Sequence, residues 1–364
     1  MNKVLFVAPT SGCGGIASWA ANYRKIFNNV SEYDLIPIGV SKRRMKDLDS
    51  HDGALKRIWE GILDTIDTCR EVRSVLKSES NIKVVHVATS GSLGTLRDFL
   101  IAKLTKKHGI KSILHCHYGC VKKDLEHSKL SQLLIKTFEL YDSIWVLDST
   151  SLTAIENQKT LKGKASIVPN FLEAPETCEI LPKNYTQVAF VGNIDPAKGI
   201  FELVDAVNML ANKTKLHIVG SCSDEVMSRL KSKITRDNIL LYGRLPNAEA
   251  VEFMSKIDIL ALPTYFESEA FPISILEAMS RGKLVLSCPR AAIPDMLTCE
   301  DGSRCGILVN EKNVQEITKG ILWAQENKKE ADEMCVKANK KFLSSYSSKV
   351  LLKLYVSNYN SLLM

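Results

Sequence analysis

Two carboxylates with seven residues between them, Glu269 and Glu277, bracket an aromatic-proline step in the stretch Tyr265 to Ser280, YFESEAFPISILEAMS. Ionised carboxylates are pure hydrogen-bond acceptors, suited to the hydroxyls of a ribose or a sugar. The apolar run Ile257 to Leu262 ahead of them reads as a largely buried strand. Pro272 suits the first turn of a helix, where its missing N–H costs nothing. Glu269 is thereby expected in a strand-to-helix loop and Glu277 within the helix. Such loops lie at the C-terminal edge of a sheet, where open α/β folds bind ligands. The alternative is structural: a solvated helix residue, and a charge favoured by the helix dipole.

Three other stretches carry candidate chemistry. In VGNIDPAKG, residues 191–199, Lys198 stands at the start of a helix whose apolar face is Ile200, Leu203, Val204, Val207 and Leu210. A cation there opposes the helix dipole. It becomes favourable if an anion joins it to the helix amides. Near the N-terminus, Ser11-Gly12-Cys13-Gly14-Gly15 links a strand to a helix. Its spacing is not that of a dinucleotide fingerprint, and a plain tight turn reads as well as an anion site. His115 and His117 end a strand, two apart, so they share a face while Cys116 takes the other. They could serve as donor, acceptor or base near neutral pH, or as hydrogen-bonded structural residues. His115, Cys116, His117 and Cys120 lack the usual zinc spacing, and no metal is expected.

These residues need a scaffold, and the chain alternates short apolar runs with amphipathic stretches throughout, the signature of βαβ units. Strands are predicted at 4–8, 35–40, 83–88, 111–115, 143–147 and 165–168, then at 187–191, 215–219, 239–242, 257–262, 284–287 and 306–309. Pro169-Asn170-Phe171 and the polar stretch to Pro182 read as a linker. With 364 residues, 45% hydrophobic and 24% charged, the chain has room for two globular domains. No apolar run suits a membrane helix, and the N-terminus enters a strand without a signal-peptide pattern. A cytoplasmic protein is expected, its ten cysteines mostly small buried hydrophobes. The net charge of +7 is uneven, with 25 Lys and Arg against 17 Asp and Glu in residues 1–172. That bias suits an anionic membrane surface or a phosphorylated acceptor. Basic segments are not interleaved with aromatics, so nucleic acid is not an expected partner.

Taken together, these motifs resemble the retaining glycosyltransferases of family 4. The stretch EAFPISILEAM resembles the family's E-x7-E motif, and VGNIDPAKG its strand, phosphate loop and Lys-Gly. LYGRLPNAEAVEFMSKIDILALPT resembles the segment before that motif, SILHCHYG the N-domain His strand, and IVPNF the interdomain entry. The resemblance spans nearly the whole chain. It implies the GT-B fold: α/β, with two Rossmann-like doubly wound domains facing across a cleft. Residues 1–172 would form the acceptor domain, residues 173–345 the donor domain, and a C-terminal helix, 346–364, would pack back on the first. The implied activity moves a sugar from a nucleotide diphosphate donor, a UDP- or GDP-sugar, to a glycan or lipid-linked acceptor in polysaccharide biosynthesis. Anomeric configuration would be retained, no further cofactor is required, and the enzyme could work peripherally at the inner face of the membrane.

The resemblance also implies roles. Glu277 would bind ribose hydroxyls. Glu269 would hold a donor-sugar hydroxyl, aided by amides at Ala270, Phe271 and Ile273. Lys198 would neutralise the diphosphate, which Gly14 and Gly15 would approach from the other domain. His117, or else His115, would lie near the sugar carbon, and Arg244 near the base. One position departs from the family: Asn193 stands where an Arg is usual, and a neutral amide cannot make the bidentate guanidinium contact to phosphate. Metal-dependent sugar transferases of another fold use a DxD motif. Asp47-Leu48-Asp49 spells it, but in a basic polar stretch read as a surface loop. Two other readings stay open: a phosphorylase or epimerase on the same fold, and a non-catalytic nucleotide-sugar sensor or partner subunit, which Asn193 favours.

Overall fold

The computed structural model describes residues 1–10, 15–28, 30–40, 54–91, 94–176, 178, 180–210 and 213–364. The chain divides into two compact units, Met1–Asn170 with Leu351–Met364, and Phe171–Val350.

The N-terminal unit contains β1 (Asn2–Ala8), α1 (Gly15–Phe27), β2 (Tyr33–Gly39), α2 (Ala54–Ser78), β3 (Ile82–Thr89), α3 (Gly94–Lys107) and β4 (Lys111–Cys116). It continues with α4 (Val121–His127), α5 (Ser131–Leu140), β5 (Ser143–Val146), α6 (Ser149–Glu156) and β6 (Ala165–Ile167). The strands form one parallel sheet, β2-β1-β3-β4-β5-β6. Parallel strands are covered on both faces, which is why they read as apolar runs. On one face Leu5, Val7, Val85, Val87 and Leu114 pack against Val72 and Leu76 of α2 and Ile101 and Ala102 of α3. The other face is aromatic. Phe6, His86, His115 and Trp145 meet Trp19 and Tyr23 of α1 and Tyr355 and Tyr359 of the C-terminal helix, α14 (Ser348–Leu363). Trp19 Nε1 donates to the Tyr355 hydroxyl at 3.2 Å, and the Tyr23 and Tyr359 hydroxyls bond each other. Buried Trp and Tyr thus keep partners for their polar ends.

The C-terminal unit contains β7 (Gln187–Val191), α7 (Ile200–Asn208), β8 (Lys215–Val219), α8 (Asp224–Lys233), β9 (Ile239–Gly243) and α9 (Asn247–Ser255). Then come β10 (Ile259–Leu262), α10 (Ile273–Ser280), β11 (Leu284–Ser287), α11 (Ile293–Met296), β12 (Ile307–Leu308), α12 (Val314–Glu326) and α13 (Lys328–Ser345). Its parallel sheet runs β12-β11-β10-β7-β8-β9. The chain winds outward from β7 through β8 to β9, then returns to the other side of β7 with β10. β7 and β10 therefore flank a topological switch point, where open α/β sheets have their crevice. Most strands shift at one end or both by one or two residues from the sequence reading, and two boundaries matter at the site. β10 starts at Ile259, because Asp258 uses its carboxylate to accept from the Thr186 and Gln187 amides at 2.9 and 3.1 Å. Pro272 is the N-cap of α10, not a first-turn residue, since its ψ of 119° is extended.

Candidate active site

At the switch point, the loop after β7 is shaped by close backbone approach. A Cβ on Gly220 would lie 1.8 Å from the Gly192 carbonyl oxygen, and Gly220 has φ +157°. Only glycine fits there. The Ile194 amide donates to the Ser221 carbonyl at 2.9 Å, leaving Asn193 exposed at the loop's tip. A 3-10 turn follows, Pro196–Lys198, capped by Asp195, whose carboxylate accepts from the Ala197 amide at 2.8 Å. Gly199, at φ +76°, then starts α7. A Cβ on it would lie 2.2 Å from the Pro263 carbonyl oxygen, just beyond β10. The Tyr265 amide donates to the Ala197 carbonyl at 2.8 Å.

These contacts stitch the β7 loop to the β10 loop and bring Lys198 to Glu269. Lys198 Nζ lies 3.3 Å from Glu269 Oε2, with side chains 22% and 12% exposed. Glu269 Oε2 itself is buried and makes no well-formed hydrogen bond among the described residues. A shielded carboxylate oxygen with acceptor capacity to spare suits a ligand hydroxyl.

Ala270 and Phe271 are buried, and the Ala292 amide fixes the Ala270 carbonyl at 3.1 Å. Phe271 meets the Tyr346 ring edge-on at 5.5 Å. Pro272 gives α10 no side-chain cap. Among the described residues the amides of Ala270 and Ile273 donate to no protein acceptor. An uncapped helix start of this kind can receive an anion or a hydroxyl. Glu277 lies within α10. Burial pushes its carboxyl up to about 7, opposed by the Arg281 guanidinium. Arg244 is exposed after β9, the edge strand, at the far side of the sheet from β10. The structure thus brings together Lys198, Glu269, Ala270 and Ile273, and holds Asn193 and Arg244 at loop tips of the same sheet edge.

Sequence reasoning missed a neighbouring group. The Tyr265 hydroxyl donates to Glu202 Oε1 at 3.4 Å, and Lys312 Nζ lies 4.7 Å from the centre of the Tyr265 ring. Tyr265 opens the motif stretch and was the available signal. Glu202 and Lys312 are distant in sequence and gave none.

In the N-terminal unit, His115 and His117 do share a face, with ring centres 4.1 Å apart, and Cys116 joins the core of the opposite face. His117 lies 4.0 Å from the Trp19 ring, and His86, unremarked in the sequence, stacks 5.5 Å from His115. His115 Nε2 donates to the Val168 carbonyl at 3.0 Å, and the Tyr359 hydroxyl bonds His86 Nδ1 at 2.7 Å. Burial pushes His115 down to about 3. Burial and the neighbouring imidazoles also push His117 and His86 well below the usual histidine range. All three are neutral near pH 7, able to donate or accept hydrogen bonds but weak as bases. Gly15 starts α1 in open space, and nothing there requires glycine. Gly14 and Asp47-Leu48-Asp49 lie outside the described residues. Among the described residues no cluster of His, Cys, Asp or Glu is arranged to hold a metal, and no helix is long and apolar enough to cross a membrane.

Residues 179–342, which contain Asn193, Lys198, Arg244, Glu269 and Glu277, match the family model of the glycosyl transferases, group 1. This segment, less than half of the chain, is similar to that family. A relative, the putative teichuronic acid biosynthesis glycosyltransferase TuaC of Bacillus subtilis, is 26% identical over 141 residues, 39% of this chain. The match spans only a third of that relative's length, 33%. Among solved structures, sucrose-phosphate synthase from Thermosynechococcus elongatus superposes with a TM-score of 0.76, covering 100% of this chain and 99% of its own, at 14% identity. HepE of Anabaena, solved in complex with UDP-glucose, gives 0.71 over 99% of each chain, also at 14% identity. At that identity the likeness concerns fold, and the fold is GT-B. The matched segment lies within the unit that holds the Lys198–Glu269 pair.

Proposed function

We propose that the chain is a glycosyltransferase that moves a sugar from a nucleoside diphosphate donor to a glycan or lipid-linked acceptor. The observation that carries this reading is the Lys198–Glu269 pair across the switch point, beside the open start of α10, within the segment that matches the group 1 family model. The C-terminal unit takes the donor and the N-terminal unit the acceptor. Departure of the nucleoside diphosphate builds negative charge on phosphate. Lys198 and the Ala270 and Ile273 amides answer it by electrostatic stabilisation, which needs no metal. Donor binding would draw Lys198 from Glu269 toward phosphate and free Glu269 to accept from a sugar hydroxyl. Glu277 accepts from the ribose, Phe271 shapes the loop, and Arg244 contacts the base. His117, neutral and half-buried, acts as a hydrogen-bonding group on the acceptor side.

A UDP-sugar is favoured by the UDP-glucose bound in HepE, and a polysaccharide acceptor by the pathway in the name of the Bacillus subtilis relative. Retention of configuration follows the family resemblance. The positive balance of residues 1–172 supports reversible attachment of a cytoplasmic enzyme to an anionic membrane surface. A second reading, a non-catalytic nucleotide-sugar-binding subunit, is favoured by the neutral, exposed Asn193, which leaves Lys198 as the one cation of that loop. A panel of nucleoside diphosphate sugars decides between them. The enzyme reading expects thermal stabilisation by one donor, about 2.7 kcal/mol at a hundred times its Kd. It also expects nucleoside diphosphate release on adding acceptor, undiminished by a chelator. Stabilisation without release on any acceptor leaves the binding reading, and loss of turnover that added metal restores contradicts a metal-free step.

A further inference from the structure

α2 and α3 lie side by side on one face of the N-terminal sheet, with Val72, Leu76, Ile101 and Ala102 turned into the core. The outward stripe of α2 reads Trp59, Ile62, Ile66, Arg70, Arg73 and Lys77, all exposed. That of α3 reads Leu96, Leu100, Lys103 and Lys107, also exposed. Every step is three or four residues, so each set is one continuous line along its helix. Both lines have the same order, apolar in the first half and cationic in the second. α2 connects β2 to β3 and α3 connects β3 to β4 in one parallel sheet, so the two helices run in the same direction. Their apolar ends therefore lie beside each other, and so do their cationic ends.

The apolar ends are not incidental surface. Trp59 is 61% exposed and Leu96 45%. Acidic side chains stand off the two lines. Asp98 is buried against Arg97, Asp67 pairs with Arg70 at 3.5 Å, and Glu60, Asp64 and Glu71 are half-buried. Lys103 rests over the Phe99 ring at 4.6 Å, which keeps its stem on the helix surface.

We propose that this α2–α3 face is the surface that docks on an anionic lipid bilayer. Trp59, Ile62, Ile66, Leu96 and Leu100 enter the headgroup–acyl boundary, and Arg73, Lys77, Lys103 and Lys107 lie over anionic headgroups. The assignment rests on the membrane attachment proposed above and on nothing in the donor site. Adjoining apolar and cationic zones are what a peripheral helix needs at a lipid interface, and an exposed Trp is typical of that depth. An isologous contact with a second copy would set these cations against each other or against apolar side chains.

The full chain is tested by co-sedimentation with vesicles of phosphatidylglycerol and phosphatidylcholine, and of phosphatidylcholine alone. Binding is expected only to the anionic vesicles and weakens as salt shortens the Debye length. A cation near such a surface accounts for about fivefold in partition. The quadruple variant Arg73→Glu, Lys77→Glu, Lys103→Glu, Lys107→Glu is expected to bind at least about a hundredfold more weakly, with an unchanged thermal midpoint because all four are exposed. Brominated lipids are expected to quench Trp59 fluorescence, and Trp59→Phe removes that quenching. Undiminished binding by the quadruple variant overturns the assignment while sparing membrane attachment. No binding to anionic vesicles overturns both. Self-association abolished by the same four changes, without vesicle binding, identifies a second copy as the occupant instead. Donor binding, measured in parallel, stays at the parent level throughout, so a failure of the donor-site reading is separately visible.

Discussion

Replacing Glu277 by Gln is expected to stabilise the unliganded protein and weaken its grip on nucleotide. Burial raises this carboxyl from 4.5 to about 7. Within that window the folded chain keeps a proton that the unfolded chain releases. The resulting stability is full below pH 4.5 and is lost as pH rises through about 7. Above that, the charged carboxylate burdens the fold by about 3 kcal/mol, at about 1.4 kcal/mol per pKa unit. Glu277→Gln removes the titration while keeping an acceptor oxygen. Urea denaturation of parent and variant near pH 5 and near pH 8 measures the difference. The variant's relative stability is expected to be about 2–3 kcal/mol greater at the higher pH. Calorimetric titration with nucleoside diphosphate is expected to show weaker binding by the variant, because the carboxylate is the stronger acceptor for ribose hydroxyls. A pH-independent stability difference would refute the burial argument. A stability gain with unchanged affinity would make Glu277 a buried carboxylate with no ligand.

Lys198→Ala is expected to weaken nucleoside diphosphate binding roughly tenfold or more while barely affecting free nucleoside, since a charged hydrogen bond is worth about 1.5–3 kcal/mol. Equal losses would point to another role. Gly220→Ala forces a Cβ against the Gly192 carbonyl and should destabilise the C-terminal unit by about 2 kcal/mol or more, read from its urea midpoint. In the N-terminal unit the pH dependence has the opposite sign from Glu277. The folded pKa values of His86, His115 and His117 lie below the unfolded value of 6.5, so their stability is full above that pH. It is lost as pH falls toward about 3 for His115. The fluorescence of buried Trp19 and Trp145 follows this acid transition, and flat stability from about pH 6.5 to pH 4 would contradict it.

The strands were legible in the sequence because both faces of each parallel sheet are covered, which turns a strand such as Ile259–Leu262 into an uninterrupted apolar run. Short helices were not. α4 has seven residues and no side-chain cap, and α11 has four, too few to express a period. Strand order in the N-terminal sheet was hidden as well, since the pairing of β1 with β3 joins segments some eighty residues apart. At the site, residue types were readable and their meetings were not. Lys198 reaches Glu269 only because Gly199 lets the backbone touch Pro263 and the Tyr265 amide finds Ala197. The histidine stack had the same limit. His115 and His117 declare a shared face by spacing, whereas His86 comes from another strand and looked like filler.

Calorimetry on Glu269→Gln is the most direct test of the donor site. The parent and the variant are each titrated with the nucleoside diphosphate and with the intact donor sugar identified by the thermal panel. If Glu269 holds a sugar hydroxyl, the variant binds the nucleoside diphosphate like the parent but loses the preference for its sugar, because a site built for a hydroxyl penalises a mismatched partner heavily. If the variant binds both ligands like the parent, Glu269 belongs to the ion pair with Lys198 alone and the donor-site account is wrong.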